Sequence, residues 1–184
     1  MFLSNHAAVG ALLALQTNNP VSAFALGYVS HYLVDMIPHG DERVGPWIKK
    51  KNEARRAALV VSIDLTVMAA FFMSLSWRVD FSHPYVVAAG VLGAILPDFI
   101  SGFYDFLRKY LSTEKRKHYK ERGGWLINFA KRSLWDNFFL ERQFFIHRKI
   151  HSALKYDISL RNGIVLQTAI LGFLYWSILH FLKA

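Results

Sequence analysis

At 184 residues the chain has the length of one domain. Its 53% hydrophobic residues, with 22 Lys and Arg against 13 Asp and Glu for a formal net charge of +9, place it among membrane-embedded proteins. It contains no cysteine, which excludes disulfides and thiolate metal sites; any metal must be held by imidazole and carboxylate groups, a donor set suited to zinc, manganese or iron, or to magnesium with waters in its shell.

In chain order, the opening MFLSNHAAVG has neither a positive n-region nor a cleavage site, so no signal peptide is expected. Residues 6–38 hold two apolar runs split by QTNNP, a turn signal whose Pro20 suits the first position of a second helix. They read as a helical hairpin, re-entrant or made of two short spans, with both ends on the same side. Residues 57–76, 85–104 and 162–182 each supply the ~20 apolar residues that a spanning helix needs. Residues 105–161 form a basic, aromatic-rich segment. Within it, residues 124–154 interleave Trp125, Trp135, Phe144 and Phe145 with Lys131, Arg132, Arg142, Arg148 and Lys149, a pattern suited to the interface of a bilayer carrying anionic lipids. The expected fold is all-α: an integral membrane helical bundle forming a single domain over residues 1–184.

Loop charge predicts the orientation. Arg43, Lys49, Lys50, Lys51, Arg55 and Arg56 crowd residues 42–56 and LRKYLSTEKRKHYKER follows the second long span, whereas residues 77–84 hold only Arg78. Lys and Arg in short connections favour the cytoplasm, so both basic segments are expected there. That topology brings His6, His31, Asp35, His39, Asp41, Asp64 and Asp98 toward one side, with His147 and His151 in the segment that can fold back to the same level.

The pairs His31/Asp35 and His147/His151 are spaced by four residues, which places the members of each pair on one helix face. Carboxylates in hydrocarbon cost several kcal/mol unless paired or coordinated. A shared metal site is therefore the leading reading of the set, with metal ligands His6, His31, Asp35, His39, Asp98, His147 and His151. The plainer alternative stays open for each residue: an Asp that pairs with a cation or caps a helix, a His that bonds a carbonyl. His83, His118 and His180 read as ordinary residues, while Arg142, Arg148 and Lys149 flank the site and are candidates to neutralise a substrate phosphate.

With these residues, HYLVDMIPH resembles the His-x-x-x-Asp…Pro-x-His type of motif of zinc-dependent phospholipase C and the related single-strand-specific zinc nucleases, all-α enzymes that hold zinc with His and Asp; here only three residues separate Asp35 from His39. More of the chain is similar to bacterial inner-membrane-associated metal-dependent hydrolases. The likeness is carried by His6 before an apolar helix, Pro97 with Asp98 near a helix end, His147-Arg148…His151-Ser152, and His31 with Asp35. The resemblance implies a divalent cofactor, zinc first with manganese or iron behind it, and hydrolysis of a phosphoester or phospholipid by metal-activated water at the cytoplasmic face of a bacterial inner membrane. Asp41 and Asp64 are then the candidate general bases.

Other classes predict other patterns. A transporter would carry polar groups onward through the outer halves of the spans, which are nearly bare. A structural or regulatory membrane protein would use its His/Asp cluster as a closed metal clamp or an ion-pair network. Nucleic acid is disfavoured as a partner, because the basic residues follow the membrane flanks and no recognition motif appears. The sequence carries no sign of oligomeric state.

Overall fold

The computed structural model describes residues 1–40, 44–49, 52–112, 138–151 and 158–183. Among the described residues the chain is entirely helical: α1 (Leu3–Ala14), α2 (Pro20–Asp35), α3 (Val44–Lys49), α4 (Glu53–Ser76), α5 (Pro84–Ser112), α6 (Phe138–His151) and α7 (Leu160–Lys183). The expected all-α bundle is the observed one.

The turn after α1 ends where Asn19 begins α2. Its Oδ1 accepts from the backbone N–H groups of Val21 at 2.8 Å and Ser22 at 3.3 Å, and Pro20 fills a position whose missing N–H costs nothing. At ~1.5 Å per residue, the 12 residues of α1 and 16 of α2 reach about 18 and 24 Å, short of the ~30 Å hydrocarbon core of a bilayer. Helices Arg55–Ser76, Pro84–Tyr104 and Leu160–Lys183 are long and apolar enough to cross a membrane. They correspond to the three expected spans. The protein is a membrane protein, and the exposed faces of α4 and α7, including Val61, Ile63, Met73, Val165, Phe173 and Trp176, suit contact with lipid rather than water.

α1 lies at the centre, against α2, α5, α4 and α7. Its buried positions, Ala7, Ala8, Gly10, Ala11 and Ala14 among them, are small on several sides, which lets neighbours close in all round. Contact is tightest where Gly10 of α1 and Gly27 of α2 meet Gly90 of α5: a Cβ on Gly10 or Gly27 would collide with the Gly90 carbonyl. The apolar end of the bundle is filled by Phe71, Leu75, Val86, Val87, Leu174 and Ile178. At the other end α6 packs on α5 and α2. There Gly40, at φ +74°, lies against Gly163 of α7, whose Cβ would strike the His39 carbonyl.

α5 continues to Ser112, well past the span expected to end at residue 104. Pro97 sits inside it. Proline removes the N–H that would bind the carbonyl four residues back and loosens the ladder locally. One carbonyl of that turn, at Ala94, accepts a side chain from another helix.

Candidate metal centre

His31 supplies that side chain. Its Nδ1 lies 2.7 Å from the Ala94 carbonyl oxygen, and since a carbonyl only accepts, Nδ1 carries the proton. Nε2 is then left with its lone pair. It has no hydrogen-bond partner, yet is fully buried, facing Asp35 Oδ2 at 3.2 Å and Asp98 Oδ1 at 3.8 Å. A lone pair turned toward two carboxylates is repulsive unless a cation or proton stands between them. A metal-binding histidine held through its other nitrogen by a carbonyl has this form.

Two more helices converge on the same carboxylates. His147 of α6 places Nε2 at 3.1 Å from Asp35 Oδ2 and 3.3 Å from Asp98 Oδ1. His6 of α1 places Nε2 at 3.1 Å from Asp35 Oδ1 and 4.0 Å from Asp98 Oδ2, and its ring stacks on His31 with centroids 4.1 Å apart. One ligand atom from each of His31, Asp35, Asp98 and His147 lies within 4.8 Å of all the others. For tetrahedral ligands at ~2.0–2.1 Å from an ion, donors would be separated by about 3.3–3.4 Å, so the observed spacings fit a cation with imidazole and carboxylate ligands. Burial of His147 works against its charge, but hydrogen bonds that its ring donates to Asp35 and Asp98 outweigh burial and push its pKa up to about 9. At neutral pH an incoming metal must displace a proton there.

The site is closed on one side and accessible on the other. The side chains of His6, His31 and Asp35 are 0% exposed, His147 is 11% exposed and Asp98 27%.

The remaining expected ligands lie differently. His39 is buried, with Nδ1 2.5 Å from the Ile37 carbonyl and Nε2 2.7 Å from the Met1 nitrogen, which also lies 2.7 Å from Asp35 Oδ1. It is adjacent to the group rather than in it. His151 ends α6, but its side chain, like Asp41 as a whole, falls outside the described residues. Arg142, Arg148 and Lys149 are exposed on α6, with the Arg148 guanidinium 5.7 Å from the centre of the Phe144 ring.

Asp64, expected as a general base, has a different setting. Its Oδ2 accepts from the Leu3 N–H at 2.5 Å and its Oδ1 from the Ser4 N–H at 3.1 Å. These are first-turn donors of α1 with no partner inside their own helix, and Phe2 at the cap position offers no side-chain acceptor. Asp64 thus caps α1 from a neighbouring helix, the plainer alternative for a carboxylate in an apolar span.

Several neutral polar residues complete the site without having been singled out by sequence. Tyr28 donates to Gln143 Oε1 at 2.5 Å, the Gln143 amide donates to Tyr32, and Tyr32 donates to Tyr28 at 3.3 Å, which locks α6 onto α2 beside His147. Gln143 precedes His147 by four residues, and Tyr28 and Tyr32 are a turn apart; that spacing was the available signal. Gln167 of α7 accepts from the Phe2 N–H at 2.7 Å and donates to the His39 carbonyl at 2.9 Å, fixing the loop after α2. A lone amide within an apolar span was the corresponding sign. On this side of α1, Phe2, Asn5, Trp47, Ile63, Asp64 and Gln167 are among the residues that line a largely apolar cavity of about 530 Å³.

No protein-family model, curated protein or solved structure matches the chain.

Proposed function

We propose that the protein is a membrane-bound metal-dependent hydrolase of phosphoesters, with a phospholipid or similar amphiphile as substrate and its site at the cytoplasmic face of a bacterial inner membrane. The observation that carries the reading is the one-sided accessibility of the centre. A structural clamp closes its ligands on every side, whereas here Asp98 and His147 remain reachable while His31 and Asp35 do not. The resemblance to bacterial inner-membrane metal-dependent hydrolases and to zinc phospholipase C points the same way, as does the basic character of residues 42–56 and 105–161.

His31, Asp35, Asp98 and His147 would hold the ion, zinc being favoured by a donor set of imidazoles and carboxylates without thiolate. A divalent ion so held supplies Lewis acidity and a bound water acidic enough to lose a proton near neutral pH. The chain's own contribution is orientation. The Ala94 carbonyl fixes the tautomer of His31, the Tyr28–Gln143–Tyr32 network fixes the helix that carries His147, and burial of Asp35 keeps the inner wall dry. Arg148 and Lys149, exposed immediately after His147, are placed on the helix from which a phosphate anion can be met. In the reaction the water oxygen bonds to phosphorus, the ester P–O bond breaks, and the departing oxygen takes up a proton.

The test is elemental mass spectrometry on the detergent-purified chain, followed by phosphoester and phospholipid hydrolysis in mixed micelles. Bound transition metal together with turnover that falls at least a hundredfold in His31→Ala and His147→Ala supports the reading. Bound metal with no turnover of any phosphoester would leave a structural clamp, and metal-free wild-type protein would leave an ion-pair network.

A further inference from the structure

The carboxylate oxygens of the centre divide into two sets. Asp35 Oδ2 and Asp98 Oδ1 face His31 and His147, at 3.1 to 3.8 Å. Asp35 Oδ1 and Asp98 Oδ2 face the other way, toward His6 Nε2 at 3.1 and 4.0 Å. Each carboxylate therefore offers one oxygen to one group of imidazoles and its second oxygen to another. A single ion uses only the first set. The second set has the same donor chemistry and similar spacings, straddling the separation of about 3.3–3.4 Å that a tetrahedral shell requires.

We infer that the centre holds two divalent cations bridged by Asp35 and Asp98, one at His31 and His147 and the other at His6. This rests on the metal-centre reading of the preceding subsection. Two further observations support the second position. The stacking of the His6 and His31 rings, 25° from parallel, aligns their Nε2 edges on the same pair of carboxylates. The His6 side also already attracts positive charge: the Met1 ammonium lies 2.7 Å from both Asp35 Oδ1 and His39 Nε2. His39 donates its Nδ1 proton to the Ile37 carbonyl, so its Nε2 lone pair faces that position. A cation that replaced the ammonium would gain His39 as an additional ligand.

The electrostatic consequence concerns the substrate. Two divalent ions against two carboxylates and neutral imidazoles leave the centre positive overall, which suits an anionic phosphoester bridging both ions rather than a neutral ester.

The test loads the metal-free full chain in detergent with manganese alone, removes the excess, and measures bound manganese by elemental mass spectrometry and its electron paramagnetic resonance spectrum. Two equivalents with the exchange-coupled spectrum of a bridged pair are expected in the wild type. In His6→Gln one equivalent is expected, with the hyperfine-resolved spectrum of an isolated ion. His180→Gln, far from the centre, should retain the coupled pair. One uncoupled equivalent in the wild type would overturn the second position while leaving the hydrolase reading standing. Two coupled ions in His6→Gln would overturn the assignment of His6. A wild type that binds no manganese, zinc or iron would defeat the metal centre itself and this inference with it. The wild-type spectrum decides nuclearity even if His6→Gln fails to fold.

Discussion

Asp35 and Asp64 are both aspartates in apolar helices, and both meet the beginning of α1, yet their surroundings differ in kind. Asp64 receives two N–H groups from the first turn of α1, and Gln167 nearby is satisfied in both directions, by the Phe2 N–H and the His39 carbonyl. Asp35 faces the Met1 ammonium and three imidazoles, one of which, His31, presents an unpartnered lone pair. One side is complete with protein donors and acceptors alone. The other holds a buried imidazole nitrogen, His31 Nε2, that finds a partner only if a proton or cation is added. An isolated Asp in an apolar stretch therefore signals a need for a partner, and the partner's chemistry decides whether the result is architecture or a reactive centre.

The comparison breaks most clearly at Asp35. Asp35→Ala removes the shared carboxylate and should abolish metal retention after desalting, as read by elemental mass spectrometry; retained metal would mean that Asp35 is a bystander. Asp64→Ala should do the opposite. Loss of the cap leaves two backbone donors unsatisfied and should lower stability by about 1–3 kcal/mol in detergent unfolding, with metal stoichiometry unchanged. Equal metal loss in both variants would mean that the two aspartates do not differ in role.

A pH series separates the two sides further. His147, raised from an ordinary 6.5 to about 9 by Asp35 and Asp98 against the effect of burial, must give up its proton to bind metal. Metal affinity should accordingly rise about tenfold per pH unit up to about 9, for one displaced proton. The metal-free protein should show the reverse trend. A raised folded-state pKa contributes stability that is fully present below 6.5 and is lost as pH climbs through about 9, so the unfolding midpoint should fall across that window. Calorimetry with and without metal reads both. The smallest effect is expected at Gln143→Leu, which frees α6 from the two tyrosines at a cost of about 1 kcal/mol in the same unfolding measurement, and loosens metal binding less than tenfold.

Much of this arrangement was legible in sequence because it violates its background. The three spans stand out as apolar runs, and His6, His31, Asp35 and Asp98 stand out as polar residues in or near the ends of apolar helices, while His147 is marked only by its four-residue spacing to His151 in a basic segment. The four-residue spacing that joined His31 to Asp35 holds in α2. What could not be read was which polar group answers which. The partners of Asp64 lie 60 and 61 residues away, and are backbone N–H groups that every residue but proline carries. Gln143 and Gln167 bear no charge, so composition gave them no weight. The central place of α1 was hidden for a similar reason: alanine and glycine there resemble a short hydrophobic hairpin arm until the close approach of Gly10 and Gly90 shows that the missing side chains are what the packing uses.

The cap on α1 also bears on how the molecule is made. A chain synthesised from its N-terminus produces Leu3 and Ser4 about 60 residues before the carboxylate that receives their N–H groups, so α1 has no settled beginning until α4 has entered the bilayer. The group at the centre is likewise incomplete until His147 arrives from α6. The centre is thus a late product of assembly, and a partly made chain in the membrane would present Asp35 and Asp98 without the His147 imidazole that faces both. Metal uptake should mark the completed fold rather than start it.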